Sequence, residues 1–558
     1  MFRLFLWLKT GVRSIGILQS PNAIIIGSSI PPYKVLADSL SLGRSMVDDS
    51  VDPLQYTPMG SKINKQIMAC SLLVSLTCIF PGYDIGLLTP EFGNKMSDDL
   101  NFTRVEIIIF CVCFPLFYLL AVLAAARTAD WIGRRYTLLF SCTIFFAGSV
   151  LMCSATNFAF FMVGHFCSAV GGGYAFMVAP VYIAEISSPV SSRGFLTSLP
   201  EVFLSAGALL AAISTYCLPK IVGYFGWRYM VGIAAVASVF LCIGLSIMIS
   251  ESPHWLVMKD RLEDAKRLLD RTSSSMEESQ LRFEDIRKAV ANSRNTTTFF
   301  HAFKELVIHP STSVRHMLVT ALVIQFLQQA IGISVVNLFS INIVEKAGVR
   351  REIHQLLITC AFGLTGIVCN LVATVLVDKL GRRILLLYSV AGMVVSLFGL
   401  AVGVTTIYHY SDQKITWALA ICIICSLCCI IFFSTGIGPI VLIYSSEVFP
   451  TRLRALGSGM AVAMNFFASA IVMFSFLLVM THIPSFNLGK FFFMYSGIAL
   501  SGWIFIYLFL PETKGTSLQD MERLFVGLGT FSGDRIRNWI RNGRVLPLER
   551  DPPDSVGD

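Results

Sequence analysis

The chain has 558 residues, 55% of them hydrophobic and 14% charged, with a formal charge of +8 and a mean hydropathy of +0.69. That is far too apolar for a soluble globular protein. The positive balance is not a nucleic-acid signal. Its Lys and Arg cluster in the loops between long apolar runs that would face the cytoplasm and its anionic lipid.

In chain order, residues 1–58 stand apart from the rest of the chain. The first 37 carry Arg3, Lys9, Arg13 and Lys34 and no acid, among many Ser, Gly and Pro, in the manner of an organelle transit peptide. Yet Met59-Gly60-Ser61-Lys62 opens a short polar lead into the first apolar run, as an ordinary start would. Targeting segment and upstream extension both stay open.

A helix needs about 20 apolar residues to cross a bilayer. Twelve such runs occur, near 66–90, 105–126, 136–155, 158–183, 196–218, 228–249, 316–344, 355–377, 384–408, 416–445, 456–480 and 490–510. They predict an all-α protein embedded in lipid. After the first run, Glu91, Asp98 and Asp99 balance Lys95 and Arg104, so that loop is expected outside, with a sequon at Asn101-Phe102-Thr103. A second sequon, Asn295-Thr296-Thr297, falls in the basic central stretch 252–314, where no glycosylation is expected. There Leu262, Ala265, Leu268 and Leu269 repeat at helical spacing between charges and predict short cytoplasmic helices.

Two stretches far apart are near-copies: Ala129-Asp130-Trp131-Ile132-Gly133-Arg134-Arg135 and Val377-Asp378-Lys379-Leu380-Gly381-Arg382-Arg383. Each basic hairpin pinched between apolar runs should be cytoplasmic. Tyr182-Ile183-Ala184-Glu185 with Arg193-Gly194 recurs as Tyr444-Ser445-Ser446-Glu447 with Arg454. Glu251-Ser252-Pro253 recurs in Pro511-Glu512-Thr513. Three signatures in one order predict two related six-helix halves, 59–251 and 315–510, joined by the linker 252–314 and followed by a tail, 511–558, with both termini cytoplasmic. Internal repeats on this scale, with a substrate site between them, are the architecture of secondary transporters. The fifteen cysteines are scattered through apolar runs without metal spacing, and no HExxH, GxSxG or phosphate loop occurs. Neither a metal, a cofactor nor an enzyme is expected.

Gly82-Tyr83-Asp84, the two Gly-Arg-Arg loops, Gln328-Gln329 followed by Gly332, Gly438-Pro439 and Pro511-Glu512-Thr513-Lys514-Gly515 form a specific set. Over residues 62–527 the chain thereby resembles the sugar porter family of the major facilitator superfamily. Arg193-Gly194-Phe195-Leu196-Thr197-Ser198, Pro200-Glu201-Val202-Phe203 and Tyr444-Ser445-Ser446-Glu447 are similar to the plant polyol/monosaccharide transporters within it. The resemblance implies the major facilitator fold with twelve transmembrane helices. It further implies alternating access and proton symport of linear polyols, inositol or monosaccharides.

An uncharged polyol presents only hydroxyls, which amides serve well because each both donates and accepts. Gln328 and Gln329 sit in an apolar run, and Gly332 suggests a break where a substrate could approach. The resemblance adds Asn465, Glu201, Ser334, Asn337 and Gly438 to the substrate-binding set. It also marks departures: Ser334 replaces a longer polar side chain, Leu442 a Trp and Leu338 a Tyr, so the pocket is expected to be roomier and less polar than is usual in the family.

Asp84 falls mid-membrane, where a carboxyl is costly and functional by default. The resemblance pairs it with the position of His165, which is Arg in family symporters, as the proton-coupling pair. It assigns a cytoplasmic gate to Asp130, Arg134, Arg135, Glu185, Arg193 and Glu251, and to Asp378, Arg382, Arg383, Glu447, Arg454 and Glu512. His254 again stands where the family has Arg, which should weaken one bridge.

The reading is a proton-coupled symporter, with an uncoupled uniporter as the near alternative and a non-transporting sugar receptor as a third. The short tail after Pro511 favours transport. Expected partners are a small neutral polyhydroxy substrate and the bilayer, with no nucleic acid, and the chain is expected to be monomeric. The plasma membrane is the expected location, with tonoplast and plastid envelope as alternatives.

Overall fold

The computed structural model describes residues 64–514 and 525, apart from 89, 101, 188–192, 223–224, 274, 292–298, 339–351, 411–415, 451–452 and 483–487. The extension 1–58, both sequon asparagines and most of the tail lie outside the described residues.

Twelve helical segments among the described residues are long and apolar enough to cross a membrane, near the runs read from the sequence. The first crossing is two pieces, α1 (Lys65–Leu76) and α2 (Ile79–Leu87). A short α3 (Pro90–Leu100) leads into α4 (Arg104–Ile132), α5 (Arg134–Cys153), α6 (Phe158–Ile186), α7 (Arg193–Val222) and α8 (Gly226–Met248). Thr103 opens α4 with a capping box: its hydroxyl accepts from Glu106 N–H while the Glu106 carboxylate accepts from Thr103 N–H.

The linker forms α9 (Pro253–Met258), α10 (Leu262–Thr272), α11 (Met276–Ala291) and α12 (Phe299–Phe303). The sequence pattern at 262–269 lies on α10. Its Ala265, Leu268 and Leu269 pack on Trp255 and Ile286 in a small core of their own.

The seventh crossing is α13 (Thr312–Ala330), with a further helical turn at 333–338 beyond a break at Ile331 and Gly332. Then come α14 (Glu352–Leu380), α15 (Arg382–His409), the tenth crossing as α16 (Thr416–Thr435) and α17 (Ile437–Glu447), α18 (Arg454–His482) and α19 (Gly489–Phe509). The break expected at Gly332 is present, with φ +82°. A Cβ there would lie 2.6 Å from the ring of Tyr495, so the glycine also admits the close approach of that ring.

Each half has its own apolar core. The first also takes in Leu442, Ala455, Val462 and Phe466 from the second half, so the halves are packed together there. Many large apolar side chains instead point outward, among them Phe240, Ile247, Tyr388 and Val395, as lipid-facing helix sides should.

Candidate functional site

Three amides from two helices meet where α13 nears its break. Gln328 donates to the Gly438 carbonyl at 2.9 Å, just beyond the interruption between α16 and α17. Asn465 on α18 donates to Gln328 Oε1 at 2.7 Å and to the Gln325 carbonyl at 3.3 Å. Its own carbonyl oxygen accepts from Gln329 at 3.2 Å, and Ser334 reaches Gln329 Oε1 at 3.4 Å.

Gln328 and Asn465 are buried and Gln329 is half-buried. The network is thus a row of groups that donate and accept, with internal bonds that hydroxyls of a ligand could replace. Gln325 joins it by donating to Ser445 Oγ at 2.9 Å. Sequence reading missed Gln325, although its position three and four residues before the other two glutamines puts it on their face.

Of the remaining expected binding residues, Asn337 is exposed on the turn after the break. Glu201 on α7 is buried, and its carboxylate makes no hydrogen bond among the described residues. Leu442 is buried on α17, between Gly438 and Ser445 that bond to Gln328 and Gln325, and it joins the first half's core.

Asp84 on α2 is buried and Oδ2 accepts two hydroxyls, Tyr118 of α4 and Ser168 of α6, each at 2.9 Å. The expected contact with His165 is not formed. His165 lies three residues before Ser168, nearly a full turn away, inside a cage of Phe110, Phe114, Phe117 and Phe161 with ring centroids 4.8 to 6.4 Å off. Its Nε2 has no hydrogen-bond partner among the described residues. Tyr118 was missed because a tyrosine in an apolar run gives no sign of where its hydroxyl goes; only the demand of a buried O–H for a partner hints at it.

The two Gly-Arg-Arg hairpins are built alike. Arg134 pairs with Glu185 at 3.0 Å and Asp130 at 3.3 Å, and Arg382 pairs with Glu447 and with Asp378, both at 3.1 Å. Ser252 also donates to the Glu185 carboxylate.

Glu251 and Glu512, expected as ion-pair partners, serve mainly as helix caps. Glu251 accepts from the N–H groups of Arg134 and Arg135, and Glu512 from those of Arg382 and Arg383. Gly133 and Gly381 sit at the cap positions with φ +108° and +96°. They offer no side chain, so a carboxylate from the far end of the half satisfies the first turn. Burial raises the Glu251 carboxyl above its ordinary range, opposed by these N–H bonds. The second arginines close the clamp: Arg135 donates to the Ser246 carbonyl and Arg383 to that of Tyr507, each at 2.7 Å.

Arg193 and Arg454 depart from the expected network. Both are buried and neither forms an ion pair among the described residues; Arg454 has all three guanidinium nitrogens without a hydrogen-bond partner.

A two-half bundle of twelve membrane helices, with buried polar groups converging between helices and ion-paired hairpins at one end, defines an integral multi-pass membrane transporter, not an enzyme. The family described as "Sugar (and other) transporter" matches residues 64–525, and the chain belongs to it. It is 44% identical to "Polyol transporter 5" of Arabidopsis thaliana over 477 residues, covering 84% of this chain and 87% of that one. It is 39% identical to "Putative polyol transporter 1" of the same plant over 508 residues, covering 89% and 98%. The fold matches that of the major facilitator proton:xylose symporter XylE bound to 6-bromo-6-deoxy-D-glucose, with TM-score 0.73, 21% identity, and 82% and 99% of the two chains covered.

Proposed function

We propose that this chain carries polyols or monosaccharides across a membrane by alternating access, coupled to a proton, in the plasma membrane. The observation that carries the reading is the amide row of Gln328, Gln329 and Asn465 at the helix break. Hydroxyls of a bound polyol would replace its internal bonds one for one, and Glu201 offers a carboxylate that has no hydrogen-bond partner among the described residues. The relatives named as polyol transporters support the substrate class.

A carboxyl at the depth of Asp84 that exchanges one proton per cycle between the two sides is the simplest carrier of coupling. Closed contacts at the hairpin end, including the bond from Phe195 N–H to Asp378 across the halves, suit the outward-facing half of the cycle. A uniporter is the second reading. It is favoured by one observation: Asp84 is held by two hydroxyls rather than by a cation, so no charge pair is there to be switched.

Uptake of a radiolabelled polyol and monosaccharide panel into carrier-deficient cells, with and without a protonophore, tests both. Accumulation abolished by the protonophore is the expected result. Uptake that equilibrates and ignores the protonophore selects the uniporter, and no uptake of any member refutes both.

A further inference from the structure

We propose that Tyr118 is the positioning residue through which the proton on Asp84 is felt at the amide site, by way of Phe466. The inference rests on the proton-coupled reading and assigns it a route.

Tyr118 is fully buried, and its two ends do different things. Its hydroxyl donates to Asp84 Oδ2 at 2.9 Å. Its ring packs on Phe466, centroids 5.1 Å apart, across the boundary between α4 of the first half and α18 of the second. Phe466 also meets Phe176 of α6 at 5.7 Å, so it is held from both sides by the first half. The residue before it in the chain is Asn465, which ties Gln328 and Gln329 together. A rigid ring therefore joins a titratable carboxyl in one half to the chain neighbour of Asn465 in the other.

The chemistry at the carboxyl gives the lever. Both hydroxyls reach the same oxygen, Oδ2, and both bonds are charge-assisted when Asp84 is ionised. A proton on Oδ1 removes that assistance. A proton on Oδ2 is donated to one of the two hydroxyls, which then accepts, and the other hydroxyl loses the charge assistance; either way the bond that fixes the Tyr118 hydroxyl weakens. Ser168 can rotate its hydroxyl at no cost in packing. Tyr118 can move its hydroxyl out of the carboxyl's reach only by moving the ring, and the ring rests on Phe466.

Titratable groups on the helices around Asp84 include Tyr118 of α4, His165 of α6 and Glu201 of α7, with Cys78 and Tyr83 on the same crossing as Asp84. Tyr83 is engaged with Ser214 and the Met230 carbonyl, and His165 with its phenylalanine cage. Tyr118 alone among them bonds both to the carboxyl and, through its ring, to the second half.

The test uses the full chain in proteoliposomes and the fastest-carried member of the panel, with KM measured at pH 5.5 and 7.5. Tyr118→Phe keeps the ring and loses the bond to Asp84; Phe466→Leu keeps the bond and loses the ring contact. In the wild type, KM should rise by about tenfold with pH, a usual size for coupling between two sites. Either variant should cut the change to about twofold, and the double variant should not lower it further, because both act on one chain of contacts.

A second readout needs no substrate: mass-spectrometric labelling of a cysteine placed at Ser334 should vary with pH in the wild-type background and not with Tyr118→Phe. A pH-dependent KM that survives both substitutions overturns the relay and leaves proton coupling standing. A wild-type KM indifferent to pH, with protonophore-insensitive uptake, overturns both.

Discussion

Arg134 and Arg382 stand in near-copies of one hairpin, and within their own halves they do the same things at nearly the same distances. Across the halves they differ. Asp378 accepts from Phe195 N–H of the opposite half at 2.8 Å, while Asp130, a third exposed, has only Arg134 for an ion-pair partner among the described residues. The repeat explains why. Arg193-Gly194 at the head of α7 corresponds to Arg454-Ala455 at the head of α18. A Cβ added to Gly194 would collide with Asp378 Oδ1 and lie 2.6 Å from Arg382. At the matching position Ala455 carries the methyl group that Gly194 lacks, and no second docking contact is found among the described residues. A duplicated sequence has thus produced one hairpin bonded across the halves through its aspartate and one whose aspartate is bonded within its own half.

The largest expected effect treats the hairpins alike. Arg134→Leu and Arg382→Leu each strand a buried carboxylate, Glu185 or Glu447, and should cost the closed arrangement about 3–5 kcal/mol. Loss of thermal stability in detergent, with greater thiol accessibility from the hairpin end, would register it. If one substitution were nearly silent, the equivalence within the halves would fail.

Gly133→Ala and Gly381→Ala should come next. Each places a methyl on its capping glutamate and a Cβ at positive φ, for about 2–3 kcal/mol together. Matched losses in thermal unfolding are expected, and unchanged melting of either protein would refute the capping role of its glutamate.

The asymmetry itself is tested by exchange. Gly194→Ala should remove the Asp378 latch and weaken closure by about 1.5 kcal/mol, the lower range for a hydrogen bond to a charged group, since Asp378 keeps Arg382. Ala455→Gly should allow Asp130 to dock and slow opening. Crosslinking or spin-label distances between the α4 and α18 ends would show it; an unaltered distance distribution in both variants would mean that the methyl is not the cause.

The smallest effect is a pH dependence confined to the first hairpin. Burial holds His254 down at about 3 from its ordinary 6.5, and Arg454, Arg282 and Arg134 nearby act in the same direction against Glu185. With its pKa depressed in the closed gate, His254 lends closure stability that is complete above pH 6.5 and declines as pH falls below it. Acidifying the hairpin side to pH 6 should therefore cost about 0.8 kcal/mol of closure, and His254→Gln should abolish that loss. An identical pH profile in the variant would remove His254 from the gate.

What could be read without coordinates was whatever recurs or carries a solvation cost. Twelve apolar runs had to be helices in lipid, because backbone polar groups there can be satisfied only internally. The repeated hairpins, the amides at 328 and 329, the glycine break at 332 and the carboxyl at 84 were all visible as polar or conformational exceptions in apolar surroundings. What could not be read was which of them touch. Asp84 binds Tyr118 and Ser168 and not His165; the last two share a face of α6, so which of them the carboxyl meets depends on the depth at which the helices are set against each other, which sequence alone does not fix. Glu251 and Glu512 cap helices 117 and 130 residues away, a task that only the packing of third against sixth helix in each half assigns. Phe466 became interesting only when the halves were brought together. Local composition determined the elements and their environment; contact between elements depends on axial rotation and close approach, which side chains distant in the chain decide jointly.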